Sequence, residues 1–408
     1  MRGMFAKLEV QVMLIGRSVA CLAAVAVLSV AAVHAPGAER NWVGGSGYWD
    51  VGANWGGSKP TSVDIAYVDT GATVTVRTVG EAAAELEFGY YDPAAGSLVV
   101  AAGASLSVGN LTLASSSGSL SHLDLAPTAS LAVGFGNIGS YGDATAAISG
   151  TFNSSGSLIL GLKGSGVVTQ TAGAVSVGGD LSLGNIGAAA LGEYRLRGGT
   201  LLVSRGGNAV NLGVEGQGRL ILGDAIAAGV IGQSGSGAGV NLNVGQFIDY
   251  GGGSTALGTG ELRGYGVVGL TGQLDLQYGR VVADGFGLAR TLDLGGLGSI
   301  VNGYENVPGE PSGWYAMAKG RLLLPSVAVA AGSHSYNWGE SQADAAIDLV
   351  NSFRIALNSA TGPGLMTASL LSTDRHDIAA GLPGTPIGVW EIALPGVSFS
   401  SAALTFRY

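Results

Sequence analysis

Between Ser105 and Gly245 the apolar positions come in pairs one residue apart, closed by a glycine and set in runs of Gly, Ser, Thr and Ala. The phrase apolar-x-apolar-Gly stands at Leu106-Ser-Val108-Gly109, Leu131-Ala-Val133-Gly134, Leu158-Ile-Leu160-Gly161, Leu181-Ser-Leu183-Gly184 and Val210-Asn-Leu212-Gly213, with glycine-to-glycine steps of 25, 27, 23 and 29 residues. Alternation sends one set of side chains inward and the other to solvent, which is the signature of short strands. A period between roughly 20 and 50 residues marks a repeat architecture, in which a unit gains a core only by stacking on its neighbours. Each unit holds about three strands of roughly four or five residues, such as Val175-Ser-Val177, Leu181-Ser-Leu183 and Tyr194-Arg-Leu196. Gly and Asn between them suit the positive φ of sharp corners. The expected fold is all-β, a solenoid over 98–305, with looser coils after Gly245 at Leu274-Asp-Leu276 and Leu292-Asp-Leu294.

The pattern changes at both ends. Residues 39–97 read as an N-terminal cap and first coil, opening on Trp42-Val-Gly44-Gly45-Ser-Gly47-Tyr48-Trp49 and Asn54-Trp55. A solenoid needs its open end covered, and clustered indoles bury a large apolar area. The rival reading makes Trp42, Trp49 and Trp55 an exposed platform for glycan contact. Val74-Thr-Val76 begins the first strand, and Tyr90-Tyr91-Asp92-Pro93 punctuates before the repeats. Two prolines, Pro308 and Pro311, predict a boundary at 306–313. Beyond it, strands expected at 314–318, 321–329, 347–357, 365–371, 386–394 and 402–408 suggest a small C-terminal β-sandwich over 314–408, with Trp314, Trp338 and Trp390 as a second set of candidate sugar-stacking rings.

Composition sharpens this picture. Gly supplies 72 of 408 residues and charged side chains only 12%, against usual values of roughly 7% and 25%. Disorder is excluded by a 47% apolar content, since disordered chains combine low hydrophobicity with high charge. Collagen is excluded by the lack of a three-residue glycine period. Residues 1–38 have the parts of an export signal: Arg2, Lys7 and Arg17, an apolar run over 18–33, and small residues ending at Ala38, where cleavage is expected. The rival reading is an uncleaved signal anchor, although the apolar run is short for a membrane span of roughly 20 residues, and the sequence has no later apolar run of spanning length. Cleavage leaves 16 basic and 27 acidic side chains, a net charge of −11 against −9 for the whole chain. Such an acidic, sparsely charged chain is a poor partner for nucleic acid. The one cysteine, Cys21, falls inside the signal, so disulfides, thiolate metal sites and cysteine nucleophiles are excluded from the mature chain.

Residues with chemistry are few and scattered. His122, His334 and His376 share no ligand spacing, and Asp374-Arg375-His376-Asp377 reads as a solvated turn. No calcium-loop pattern is present. A glycosidase needs two carboxyl groups at a set separation, whereas Asp124, Asp143, Asp180, Glu193, Glu215 and Asp224 do not recur at coil spacing. Of the bases Lys163, Arg195, Arg197, Arg205 and Arg219, the trio Arg195, Arg197 and Arg205 could neighbour one another on the solvent side. Chance Gly-x-Gly-x-x-Gly spacings sit between no strand and helix, so a nucleotide loop is unsupported. No catalytic, cofactor or metal residue is assigned.

The aromatic opening, with Pro60 and Asp64-Ile-Ala66, followed by Gly-rich coils and Thr-Gln-Thr-Ala-Gly-Ala-Val-Ser-Val at 169–177, resembles bacterial secreted proteins with autotransporter-type β-strand repeats. The resemblance covers roughly residues 40–250 and implies a right-handed parallel β-helix on a surface or extracellular protein, often adhesive. It departs at the end: a membrane barrel takes at least about eight strands, more than 314–408 can supply. Leu404-Thr-Phe406-Arg-Tyr408 alternates and ends on an aromatic as one barrel strand would, and no Pro-Glu-Pro sorting signal follows. The expectation is a non-catalytic extracellular or cell-surface scaffold or adhesin, with surface glycans or another extracellular protein as partner. Its alternatives are a carbohydrate-binding module, and a polysaccharide lyase or hydrolase should carboxylates and arginines converge in one groove.

Overall fold

The computed structural model describes residues 37–91, 94–224, 227–251, 254–276, 279–284, 290–301, 314–319, 321–338, 352–371 and 389–407. The expected signal up to residue 36, the expected boundary at 306–313 and the Asp374–Asp377 turn lie outside them. Among the described residues the protein is strand and turn, with one 3-10 turn at Gly52–Trp55. No helix among them is long and apolar enough to cross a membrane.

Strict alternation decides where each strand lies. Asp143–Ile148 buries Ala144, Ala146 and Ile148 and turns Asp143 and Thr145 outward. The strand joins a 12-stranded sheet, lying parallel to Leu120–Leu125 on one side and Ser165–Gln170 on the other. Between Ile148 and Ser165 the chain visits a second, 21-stranded sheet through Thr151–Ser154 and Leu158–Leu160. The next pass repeats the route: Ser165–Gln170, then Ala174–Val177 and Leu181–Leu183. Parallel strands need such crossover connections. The inner faces of both sheets contribute to one hydrophobic cluster, in which Leu123, Leu131, Leu160, Val175, Leu183 and Leu220 are 0% exposed. Each such side chain contributes about 1.5–3 kcal/mol when withdrawn from water.

The repeated phrase turns out to mark two different places. Gly109 and Gly134 lie inside the long strands Ser105–Leu113 and Ser130–Ile138. Ser130–Ile138 pairs with Thr151–Ser154 through its first half and with Leu158–Leu160 through its second. Gly161, Gly184 and Gly213 instead close the second half, with φ of 67°, 67° and 73°. The step of 27 residues from Gly134 to Gly161 therefore crosses from one row to another, whereas the other steps stay within a row. Apolar-x-apolar-Gly is the same local chemistry in both places, so the string of letters alone did not separate them.

Those left-handed glycines form a ladder: the N–H of Gly161, Gly184, Gly213 and Gly245 donates to Ile138, Leu160, Leu183 and Leu212 carbonyls at 2.7–2.8 Å. A second glycine row in the shorter sheet, Gly166, Gly192, Gly218 and Gly260, stands in direct register and faces the first. A Cβ on Gly192 would sit 2.3 Å from the Gly184 nitrogen, and one on Gly218 would sit 2.0 Å from that of Gly213. Close approach of the two sheets along this edge leaves no room for a side chain at Gly192 or Gly218. A polar pair sits in the apolar interior: Tyr194 Oη donates to Gln170 Oε1 at 2.6 Å, and Gln170 Nε2 donates to the Thr200 carbonyl at 3.0 Å. Burial raises the Tyr194 phenol well above its ordinary range.

The ladders run past the expected break. Trp314–Lys319 lies parallel to Gly279–Asp284, and Arg321–Leu323 lies parallel to Thr291–Asp293, extending both sheets. Leu322 and Leu324 keep the inward alternation of the upstream passes, which is why this stretch continues the stack. Pairing then reverses: Gly364–Leu371 runs antiparallel to Arg321–Leu323 and to Val327–Val329, and Val389–Ala393 pairs beyond it. Gly332–Trp338, Ser352–Ala360 and Ser401–Arg407 make a separate three-stranded antiparallel sheet.

Candidate functional site

The aromatic opening is interior. Trp42, Trp49 and Trp55 are 2, 0 and 3% exposed, with Trp55 edge-on to both partners at 4.9 Å between ring centroids. Trp55 Nε1 donates to the Trp49 carbonyl and Trp42 Nε1 to the Gly45 carbonyl, each at 2.9 Å. Buried in this edge-to-face cluster, the three rings offer no platform to a sugar, which corrects the glycan-contact reading of these three residues. Trp390 packs partly buried against the core; the side chains of Trp314 and Trp338 lie outside the described ones.

Asp64 fastens this cap. Its carboxylate accepts from the Thr61 hydroxyl at 2.7 Å, the Thr61 N–H at 2.9 Å and the Ala38 N–H at 2.9 Å, with Arg40 Nε 3.8 Å away. The Thr61 hydroxyl leads in holding its pKa below the ordinary carboxylate value, against the opposing effect of burial. A depressed folded pKa means that the unfolded chain binds the proton more readily. The stabilisation is therefore present above the ordinary carboxylate pKa and is lost as pH falls through the depressed value. Asp64→Ala will weaken the cap by about 1–3 kcal/mol at neutral pH and flatten its acid dependence, measured by hydrogen exchange in Ile65–Val68 from neutral to acid pH. Identical pH profiles for parent and variant would refute the assignment.

Ionisable groups are spread over separate structural tasks. Asp180 accepts from the Ala209 N–H, Glu215 from that of Gly187 and Asp224 from that of Ala227. His122 meets Thr145 across adjacent strands at 2.8 Å, and His334 meets the Ala331 carbonyl at 2.8 Å. Tyr67, Tyr90 and Tyr91 cluster at 4.7–5.2 Å between centroids; burial, then Glu87, pushes the Tyr67 phenol up to about 12. Among the described residues no three His, Cys, Asp or Glu side chains converge as metal ligands would.

Arg195 does meet a carboxylate, but on a sheet face. Glu193, Arg219, Glu261 and Arg280 stand in register on four successive strands of the shorter sheet. Arg195 and Arg219 flank Glu193, the latter at 3.8 Å, and Arg263 and Arg280 reach Glu261 at 3.5 and 2.7 Å. Arg197 and Arg205 lie at the turns after Leu191–Leu196 and Thr200–Ser204. Sequence spacing hid this row because the long excursion before Thr259 stretches one step far beyond its neighbours.

A concave feature lies elsewhere, where the longer sheet bends between its two rows. It is a groove of about 410 Å³ lined by Ser107, Ala132, Gly134, Asn153, Ser155 and Ser176, with Ser204 at its end. Ser107, Ala132, Asn153 and Ser176 are register partners on four consecutive strands. Their neighbours in each strand point inward, so all four point out. The floor is bare backbone: a Cβ on Gly134 would meet the Gly109 carbonyl at 2.4 Å, and one on Gly178 would meet that of Ser155 at 2.2 Å. No titratable side chain lines it. The row escaped sequence reading because Phe152-Asn-Ser154 puts Ser154 at an inward place and so breaks the apolar-x-apolar phrase. A search on the middle position of each aligned strand would have found it.

No protein-family model, curated protein or solved structure matches the chain.

Proposed function

We propose that this chain is an exported, non-catalytic scaffold or adhesin of the cell surface or extracellular space, built as a right-handed parallel β-helix with an aromatic cap and an antiparallel C-terminal portion. The observation that carries this reading is the groove: among the described residues its lining holds hydroxyl, amide and backbone groups and no acidic or basic side chain. General acid–base or nucleophilic catalysis needs such groups within hydrogen-bond reach of a substrate. Handedness follows from the rule that crossover connections between parallel strands are right-handed in about 98% of cases. Export is supported by the tripartite segment 1–38. The resemblance to autotransporter-type repeat proteins supports a surface role. Display on a stiff stack lets many shallow contacts add through multivalency.

The test is incubation of the purified chain with neutral and uronate polysaccharides, alongside adhesion of cells expressing it. Adhesion without release of reducing or unsaturated ends is the expected result. Release of either product, abolished by Glu193→Gln or Glu261→Gln, would replace the scaffold with a hydrolase or lyase.

A further inference from the structure

Outward Ser and Asn side chains occur in two rows of the longer sheet, and the rows behave differently. In the second row Asn243 Nδ2 donates to Asn211 Oδ1 at 2.7 Å, Asn211 Nδ2 to Ser182 Oγ at 3.3 Å, and Gln246 Nε2 to Asn211 Oδ1 at 2.9 Å. That row is zipped to itself. In the groove row, the side chains of Ser107, Asn153, Ser155 and Ser176 make no hydrogen bond among the described residues. Each hydroxyl there can both donate and accept, and the Asn153 amide adds two donors and an acceptor.

We infer that this groove is a binding site for a linear, uncharged polysaccharide lying along the stack of strands. The inference rests on the scaffold reading and names its ligand. Charge decides first: with no cation in the lining, a phosphorylated, sulfated or uronate chain would be desolvated without a counter-charge, which is costly. Shape decides next. The groove crosses the strands Ser105–Leu113, Ser130–Ile138, Thr151–Ser154, Ala174–Val177 and Thr200–Ser204, and at about 4.8 Å per strand this makes a run of about 19 Å. Its volume falls within the usual range of ligand clefts. A peptide is disfavoured because extended peptides add to an open strand edge, and Thr151–Ser154 and Ala174–Val177 are each paired on both sides. A lipid is disfavoured because the outward side chains that line the groove are polar or no larger than alanine, Leu202 beside Ser176 being the one apolar side chain at the end of the row. What remains is a chain bearing hydroxyls at regular intervals, read by Ser and Asn on successive strands.

The full chain is titrated calorimetrically with cellohexaose, laminarihexaose and, as a charged comparison, hexagalacturonate. The expected result is saturable binding of a neutral hexasaccharide, weakened about tenfold by Asn153→Ala with Ser176→Ala, which removes two neutral hydrogen-bonding groups. Asn211→Ala with Asn243→Ala, in the self-paired row, should leave it unchanged. Hydrogen exchange on the parent guards against a folding defect: ligand protection should centre on Thr151–Ser154 and Ala174–Val177. Binding by neither neutral sugar, binding by hexagalacturonate alone, or full binding in the groove variant would overturn the inference. Failure to bind with no cleavage products removes the groove assignment alone, whereas cleavage products remove the scaffold reading itself.

Discussion

Gly161→Ala will destabilise the middle of the stack by about 2–5 kcal/mol. Two effects combine there. The residue sits at φ of 67°, where an L side chain costs roughly 1–2 kcal/mol, and its new Cβ would lie 2.1 Å from the Leu191 carbonyl oxygen on the next pass. Relief requires the two sheets to separate along their closest edge, with an overpacking cost of about 1–3 kcal/mol. Gly103→Ala is the matched comparison. Its φ is 77°, but nothing lies within 4 Å of the added carbon, so only the backbone strain is felt. Denaturant melts of both variants separate the two contributions. Equal losses would show that the glycine-to-glycine contact contributes nothing.

Trp49→Ala will cost about 3–5 kcal/mol, as expected for emptying a fully buried large aromatic site. Trp49 is 0% exposed, and its ring lies 4.9 Å from that of Trp55. Because each pass of a repeat stack leans on its nearest neighbours, the damage should stay at one end. Amides of Ile65–Val68 and Thr73–Val76 should lose exchange protection, while those of Gln217–Leu222 keep it. Unchanged protection at the N-terminal end would mean that the indole does not hold the cap, and would return these tryptophans to a ligand-facing role.

The all-β character was legible in the chain because alternation with period 2 is a local property, carried by segments such as Val175-Ser-Val177, whereas the parallel direction of the strands came only with the resemblance to autotransporter-type repeats. Burial of the tryptophans was half legible: Gly44, Gly45 and Gly47 gave the backbone room to fold around the rings, but nothing local separates a buried indole from an exposed one. The stacking register was not legible. Leu191 faces Gln217 with a 26-residue step (191 to 217), and Gln217 faces Thr259 with a 42-residue step (217 to 259). Irregular steps of this kind scatter functional side chains that end up adjacent, as with Glu193, Arg219 and Glu261. They hid the groove for the same reason, since Asn153 and Ser176 become neighbours only once the strands are aligned.

That 42-residue step holds an antiparallel excursion, Gln246–Gly251 pairing with the first part of Ser254–Gly264. The stack closes on either side of it without strain in its spacing: the Gly245 N–H still reaches the Leu212 carbonyl at 2.7 Å, and the Thr259 N–H reaches that of Gly216 at 2.8 Å. Entry and exit points are therefore fixed by the neighbouring pass, and the length of chain between them is free to vary. The turn between Gln246–Gly251 and Ser254–Gly264 is a natural grafting port, where a foreign epitope or an entire folded module could be spliced in beside the paired strands.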